Sequence, residues 1–448
     1  MRFPKPALPL LLALQVPLAA AAPAPEAVVV VAADLHSAYE RSAQFVALVD
    51  AVRARHPGTP LAVAINGDTF ELGNAVARRS EGEVDYAFLA ALARRGPLIV
   101  NLGNHEPDFH DVPETIRRLR ATGAQLVAGN FRDPAAGAPE VAASVDVPLG
   151  PHRVRFIGVT TDRLATFRAA VRPQLDLADP VAWARAALPG LLPAGEPLVL
   201  LSHAGLAADR QLLALVPDGT LVAGAHDHLR FTHETGRTAY FHAGSWLEAA
   251  AVARLERDAA GLRWRVALEE VPAAPADPEL ARRIGSVRAR HLTPEDAAVV
   301  GRAPRDLAPA AAARFVVEAA RRAAGADAAM VGATTFGAGL PAGDVPRHAF
   351  DACVRFDGPL FAAEVDGAWL LRLQARCNQG PDTPFAERAG ENLVFAVAGP
   401  IEAGRRYRLV TSDWSARQAP RYFGPDAPAF AEVPGVTLKA AARAALQP

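Results

Sequence analysis

Residues 97–106 read Pro97-Leu98-Ile99-Val100-Asn101-Leu102-Gly103-Asn104-His105-Glu106. The first half is a short apolar run of strand-forming residues, so it predicts a β-strand, and the polar second half should form the loop at the carboxyl end of that strand. The amide oxygen of Asn104 is a hard metal ligand, and the neighbouring imidazole of His105 is a proton donor. Alone this signal is weak. It gains force because four other strand ends carry polar residues of metal-ligand type.

Apolar strands alternate with helix-patterned segments on both sides of this stretch. Val28 to Ala33 is a nearly continuous apolar run, and residues 42–55 carry apolar side chains at helical spacing. The same patterns predict strands at 61–65, 125–128, 154–159, 198–201 and 221–223, and helices at 85–94, 115–121 and 181–188. Strands that alternate with helices are typical of an α/β domain. Because ligands gather at the carboxyl ends of strands in open α/β sheets, polar clusters far apart in sequence can share one site.

Composition and the first residues limit the classes of function. The chain has 448 residues, of which 51% are hydrophobic, and its net charge is -1, which does not favour a partner such as nucleic acid or an anionic membrane. Arg2 and Lys5 precede an apolar stretch from Ala7 to Ala19, and small residues follow, as in an export signal. We therefore expect a soluble monomer that is exported to the periplasm or beyond the cell, with an uncleaved anchor as the alternative.

The chain divides into four predicted segments. They are a signal peptide at 1–24, a catalytic domain at 25–271, a linker with a helix from Pro278 to His291 at 272–313, and a second α/β domain at 314–448. Strands of the second domain are predicted at 328–331, 352–356, 393–397 and 407–411. Cys353 and Cys377 are compatible with one disulfide or with two separate thiols.

Seven polar residues at the strand ends could bind metal. They are Asp34, His36, Asp68, Asn104, His203, His226 and His228. Carboxylate, amide and imidazole groups together suit divalent ions such as Mn, Zn, Fe or Co. Seven ligands are too many for one catalytic ion but fit a pair of divalent metal ions, for which Asp68 is the natural anionic bridge.

The order of these motifs resembles that of the calcineurin-like metallophosphoesterases, and His105-Glu106-Pro107-Asp108 is similar to the H-E-x-D form of the 5′-nucleotidase branch. The resemblance implies a two-sheet sandwich flanked by helices, followed by a smaller α/β domain. It also implies two ion sites that share Asp68, one formed by Asp34, His36, Asp68 and His228 and the other by Asp68, Asn104, His203 and His226.

The resemblance also implies a mechanism. A water between two divalent ions becomes acidic enough to attack phosphorus near neutral pH. His105 would donate a hydrogen bond or proton to the leaving oxygen, and Asp108 would hold the other nitrogen of that imidazole. For Asp108 the alternative is a carboxylate at the start of the helix that follows.

The predicted substrate is a small-molecule phosphoester, a nucleotide in the first place. Phe356 and Trp414 stand where 5′-nucleotidases have the two rings that clamp the base; the alternative is that both rings belong to the core. Gly358 and Pro420 replace polar anchors of that branch, so nucleotide specificity is the weaker part of the prediction. The rival functions are hydrolysis of another phosphomonoester, diester or pyrophosphate with the second domain as a lid, and metal or ligand binding without catalysis.

Overall fold

The structure is a computed structural model that describes residues 24–132, 141–192 and 195–446. The predicted signal peptide lies outside these residues, apart from its last position. The strands are β1 (Ala27–Ala32), β2 (Leu61–Asn66), β3 (Leu98–Asn101), β4 (Gln125–Val127), β5 (Phe131–Arg132), β6 (Ser144–Leu149), β7 (His152–Thr160), β8 (Asp176–Leu177), β9 (Leu198–His203), β10 (Leu221–Gly224), β11 (Arg230–Thr235), β12 (Thr238–Ala243), β13 (Ala249–Asp258), β14 (Gly261–Glu270), β15 (Val299–Ala303), β16 (Ala328–Gly332), β17 (Gly343–Pro346), β18 (Pro359–Asp366), β19 (Leu393–Val397), β20 (Arg406–Ser412) and β21 (Ala431–Thr437). The helices are α1 (Ser42–Arg55), α2 (Ala75–Arg79), α3 (Glu83–Ala93), α4 (Val112–Ala121), α5 (Pro180–Leu191), α6 (Leu206–Leu212), α7 (Pro278–His291), α8 (Pro294–Ala297), α9 (Pro309–Ala323), α10 (Arg347–Cys353), α11 (Gly367–Gln374), α12 (Asp413–Arg417), α13 (Ala419–Phe423) and α14 (Leu438–Ala445).

Two six-stranded mixed sheets form the first domain. The first sheet has the order β14-β13-β1-β2-β3-β4 and the second has the order β11-β12-β10-β9-β7-β6. Strands β1 to β4 run parallel, and β7, β9, β10 and β12 also run parallel. The predicted α/β fold class with two packed sheets is confirmed.

The alternation of side chains along β1 explains its unbroken apolar sequence. Val28 and Val30 pack in one core cluster with Phe45 of α1, whereas Val29 and Val31 pack in another cluster with residues of the second sheet. Both faces of the strand are therefore covered, one by helices and one by the opposite sheet. A strand that is buried on both faces has no position for a polar side chain, which is why apolar and polar residues do not alternate along β1.

Two asparagines join the carboxyl ends of the two sheets. The side chain of Asn66, at the end of β2, donates hydrogen bonds to the carbonyls of Ser202 and Ala223 across the interface, at 3.1 and 2.8 Å. Asn101, at the end of β3, donates to Asn66 Oδ1 at 2.9 Å and to the carbonyl of Val159 at 2.9 Å. These buried bonds hold the strand ends of both sheets at one edge of the sandwich.

The second domain contains a five-stranded sheet with the order β19-β16-β20-β18-β21. Helices α9 and α14 contribute to the core on one face, and α11 and α13 contribute to the core on the other. The strand predicted at 352–356 is wrong: α10 ends at Cys353, and the chain forms its strand later, at β18. A run of five residues, four of them apolar, does not distinguish a helix end from a strand.

The predicted linker is largely structured. Helix α7 has the predicted bounds and buries Leu280, Ile284 and Val287 in the same cluster as α1 and α3. Strand β15 pairs with β17, so part of this segment is tied to the second domain. Cys353 and Cys377 are free thiols. None of the helices in the described ranges is long and apolar enough to span a bilayer.

Candidate metal centre

The seven candidate ligands all lie at the edge where the parallel strands end. Asp34 and His36 follow β1, Asp68 follows β2, Asn104 follows β3, His203 ends β9, and His226 and His228 follow β10. Because β1, β2 and β3 are neighbours in the first sheet and β9 and β10 are neighbours in the second, their loops open onto the same space. The fold therefore brings together residues that are almost two hundred positions apart.

Two groups of ligand atoms come within metal-binding reach of one another. Asp34, His36 and His228 form the first group, and Asp68, His203 and His226 form the second; the ligand atoms within each lie within 4.8 Å of one another. Asp68 faces both groups, because its Oδ1 lies 3.3 Å from His203 Nε2 and its Oδ2 lies 3.9 Å from His36 Nε2. This carboxylate has the position that a bridging ligand requires.

The donor atoms are buried and arranged to bind a cation. His203 Nδ1 lies 2.8 Å from the carbonyl of Asn66, and this bond places a proton on Nδ1, which leaves Nε2 as the atom that would face a cation. His203 Nε2 and Asn104 Oδ1 are both buried and have no hydrogen-bond partner. The Nε2 atoms of His36 and His228 face each other at 2.9 Å. Buried polar atoms without a partner are costly, and a divalent ion would satisfy Asn104 Oδ1 and, once its proton is displaced, His203 Nε2.

Three of the histidines have a lowered pKa and are therefore neutral near pH 7, which is the form that binds metal. Burial lowers the pKa of His36 to about 4 and holds the pKa of His228 well below its usual range, and nearby cationic groups add to both effects. Burial likewise lowers the pKa of His226 to about 3. At His203 the carboxylates of Asp68 and Asp34 outweigh burial and raise the pKa to about 10. A cation bound there must therefore displace a proton.

The loops that carry the ligands have unusual backbone conformations. Five of the seven candidate ligands have positive φ, with values of 50° at Asp34, 48° at His36, 54° at Asp68, 78° at His226 and 55° at His228. Such conformations are uncommon outside glycine and cluster at functional sites. The surrounding fold thus holds these side chains in position at a cost in backbone energy.

Gly103 is required where the loops after β2 and β3 meet. A Cβ atom at this position would lie 2.6 Å from the backbone nitrogen of Asp68 and 2.9 Å from Cε1 of His203. Gly103→Ala should therefore push the bridging carboxylate out of place and lower kcat/KM at least tenfold in a hydrolysis assay. Gly190→Ala, where an added Cβ meets nothing within 4 Å, is the control. Equal activity of both variants would contradict the close approach at Gly103.

His105 and Asp108 form the pair expected from the sequence. His105 Nδ1 lies 2.9 Å from Asp108 Oδ2, and the backbone N–H of Leu72 donates to the same oxygen at 3.1 Å. The following helix begins at a different carboxylate, Asp111, whose side chain accepts from Glu114. Burial would lower the pKa of His105, but Asp108, Asp68 and Glu71 outweigh it and raise that pKa to about 9. The imidazole is therefore protonated at neutral pH and can donate from Nε2.

Glu106 is a site residue whose role the sequence analysis missed. Its carboxylate is buried and accepts from the backbone N–H groups of Asp68 at 3.0 Å, Thr69 at 2.9 Å and Gly103 at 2.6 Å. One side chain thus fixes the two loops that carry Asp68 and Asn104. Its place in the G-N-H-E motif was the available signal, but acceptance of three backbone bonds depends on the fold.

Glu71 and Arg355 were also missed, and both reach the metal centre. Glu71 Oε2 lies 3.4 Å from His36 Nδ1, and the guanidinium of Arg355, from the second domain, forms a buried ion pair with Glu71. Burial would raise the pKa of Glu71, but Arg355 and His36 hold it well below its usual range. Their long separation in sequence left no local signal for this contact.

The two predicted base-binding rings are on the surface of the second domain. Phe356 is 52% exposed and Trp414 is 38% exposed, so neither ring belongs to the core. The loops that carry them adjoin, because a Cβ at Gly358 would lie 2.7 Å from Asp413 Oδ1. Trp414 Nε1 also donates to Tyr422 at 3.3 Å.

Known proteins resemble this chain in sequence over part of its length and in fold over both domains. The sequence model of the calcineurin-like phosphoesterase family matches residues 27–230. No curated protein sequence matches the chain. The 5′-nucleotidase precursor from Thermus thermophilus has a similar structure, with a TM-score of 0.61 at 18% identity over 94% of this chain and 96% of that chain.

Two further solved structures share the fold over both domains. The sulfate thiohydrolase SoxB from Thermus thermophilus has a TM-score of 0.65 at 15% identity, over 95% of each chain. The 5′-nucleotidase from Candida albicans has a TM-score of 0.59 at 11% identity, over 94% of this chain and 97% of that chain. At these identities the likeness establishes the fold. The chain therefore carries a calcineurin-like phosphoesterase domain, the domain of a phosphoric ester hydrolase, within the two-domain fold found in 5′-nucleotidases.

Proposed function

We propose that this chain is an exported, dinuclear metallophosphoesterase that hydrolyses the phosphate ester of a nucleotide. The observation that carries the proposal is the convergence of seven donor residues, five of them buried, among which His203 Nε2 and Asn104 Oδ1 have no hydrogen-bond partner. The proposed domain limits are those of the sequence analysis, with 25–271 catalytic and 314–448 substrate-binding.

We assign the ligands to two divalent ions that share Asp68. Asp34, His36 and His228 complete one site, and Asn104, His203 and His226 complete the other. The ions, drawn from Mn, Zn, Fe and Co, would supply an acidified water and neutralise the phosphoryl oxygens. Two clusters of ligand type, joined by the two oxygens of one carboxylate, support two ions rather than one.

The residues of this chain contribute proton transfer and substrate position. His105 would donate from Nε2 to the leaving oxygen, while Asp108 holds its Nδ1 at 2.9 Å and fixes the ring. Glu106 keeps the loops of Asp68 and Asn104 in register through its three backbone bonds. Phe356 and Trp414 would stack on the base, and their exposure supports this role.

The second candidate function is hydrolysis of a different ester at the same centre. Gly358 and Pro420 stand where 5′-nucleotidases have polar anchors, and a site without those partners discriminates less well. A structure of this fold is a sulfate thiohydrolase. The panel of substrates should therefore include nucleoside monophosphates, cyclic nucleotides, nucleotide sugars, p-nitrophenyl phosphate, pyrophosphate and an S-sulfonated thiol.

The most informative assay compares release of phosphate from AMP by the wild-type chain and by Trp414→Ala. Because stacking contributes about 1–3 kcal/mol per base, loss of the ring should raise KM for AMP about tenfold and leave the KM for p-nitrophenyl phosphate unchanged. Leu371→Ala, which removes another exposed apolar side chain of the second domain, is the matched control. An unchanged KM for AMP would remove the base-stacking role. A preference for another member of the panel would favour the second candidate, and no turnover of any member would indicate a binding protein.

A further inference from the structure

A third group of metal-ligand residues lies beside the two assigned clusters. His36, Glu71 and His105 place their ligand atoms within 4.8 Å of one another. The group is filled by a guanidinium: Arg355 Nη2 lies 3.2 Å from His36 Nδ1 and 3.5 Å from His105 Nε2, and Arg355 Nε donates to Glu71 at 2.7 Å. The positive charge among these three residues is therefore the guanidinium of Arg355.

Arg355 reaches this group from the second domain. It follows α10, its side chain is only 2% exposed, and its Nη1 donates to the carbonyl of Thr334 at 3.0 Å. The guanidinium also lies over the rings of Trp246 and Phe356, at 5.7 and 5.1 Å from their centroids. Through Arg355 the second domain thus contacts the candidate metal centre of the first.

Glu71 lies between Arg355 and a proposed metal ligand, His36. Its Oε2 lies 3.4 Å from Nδ1 of His36, whose Nε2 faces His228. A carboxylate at the outer nitrogen of a ligating histidine fixes its tautomer and orientation. A carboxylate as buried as that of Glu71 also needs a cationic partner, because an unpaired charge in the interior is strongly destabilising. Arg355 supplies that partner.

We propose that Arg355 is a positioning residue through which the second domain sets the geometry of the metal centre. Its guanidinium holds the Glu71 carboxylate against His36 and takes the place that a third divalent ion would otherwise fill. This inference rests on the proposed function in taking His36 as a metal ligand. It goes beyond that function because it makes the metal affinity of the first domain depend on a side chain of the second.

The test measures metal binding without substrate. Metal-free full-length chains are titrated calorimetrically with Mn²⁺ for the wild type, Arg355→Gln, Glu71→Gln and the double variant. Loss of an outer partner of a metal ligand typically lowers affinity 10–100-fold, so each single variant should bind one of two ions at least tenfold more weakly. The double variant should lose no more Mn²⁺ affinity than the more affected single variant, because both substitutions disrupt the same contact from Arg355 through Glu71 to His36.

Two controls separate this role from a general loss of structure. Arg79→Gln removes a different ion pair, which joins α2 to Asp296 and touches none of the proposed ligands, and it should bind Mn²⁺ as the wild type does. Thermal unfolding of each metal-free variant reports whether it folds. If Arg355→Gln does not fold, the comparison rests on Glu71→Gln, which retains the shape of the side chain.

Three results would overturn the inference. They are wild-type Mn²⁺ affinity in a folded Arg355→Gln or Glu71→Gln chain, additive losses in the double variant, and three bound ions per wild-type chain. Failure of the proposed function gives a different result, because a wild-type chain that binds two ions but hydrolyses no phosphoester would leave the metal-affinity comparison intact.

Discussion

Asp68→Asn should lower kcat/KM for phosphoester hydrolysis by a factor on the order of 10³ or more. The reason is that the two oxygens of Asp68 face both proposed ion sites, at 3.3 Å from His203 Nε2 and 3.9 Å from His36 Nε2. An asparagine keeps the shape but removes the charge that bridges two cations. Loss of an outer partner of a metal ligand alone costs 10–100-fold, and loss of a shared ligand should cost more.

The matched control is Asp85→Asn. Asp85 is also a buried carboxylate, but it accepts a hydrogen bond from Tyr39 at 2.6 Å and lies outside the site. Burial raises the pKa of Asp85 to about 7, whereas the pKa of Asp68 lies well below its usual range, so an amide removes less charge at Asp85 than at Asp68. Steady-state kinetics should find this variant within about twofold of the wild type. If both variants kept the same activity, Asp68 would not be a bridging ligand.

His105→Ala should lower kcat by about 10²–10⁴, the range expected for a lost general acid. The imidazole is held by Asp108 through Nδ1, which leaves Nε2, 3.5 Å from Arg355 Nη2, as the nitrogen that would donate to the leaving oxygen. KM should change much less than kcat, because the proton is needed in the transition state. The loss should shrink for a substrate with a good leaving group such as p-nitrophenolate, which leaves without a proton.

His110→Ala is the control for this variant. His110 lies five positions further along the same loop. Its ring stacks on Tyr86, with 6.5 Å between the ring centroids, away from the proposed ligands. Its kcat should match that of the wild type. A His105→Ala enzyme that lost equal activity on AMP and p-nitrophenyl phosphate would contradict the role in protonating the leaving group.

The candidate ligands were predictable because each one follows an apolar strand directly. Asp34 comes after β1 and Asp68 after β2, and the parallel order of the strands then brings their loops together. The His105–Asp108 pair was also accessible, since its members are three residues apart. Local patterns of this kind contain the information for strand ends and short-range pairs.

Contacts between distant segments could not be predicted in the same way. Arg355 and Glu71 are separated by 284 positions, and nothing in either local sequence indicates the other. Glu106 belongs to a recognisable motif, yet its three bonds to backbone N–H groups depend on how two loops meet. The strand expected at 352–356 was wrong for a related reason, because tertiary packing decided how a short, mostly apolar segment would fold.

The most direct test of the central claim counts ions and follows activity in the same sample. The wild-type chain, purified and then analysed by elemental mass spectrometry, should contain two divalent ions, and Asp68→Asn should contain fewer. Chelation should abolish phosphate release, and addition of Mn²⁺ or Zn²⁺ should restore it when two ions are bound per chain. Undiminished phosphate release from a chain shown to be free of metal would contradict the account.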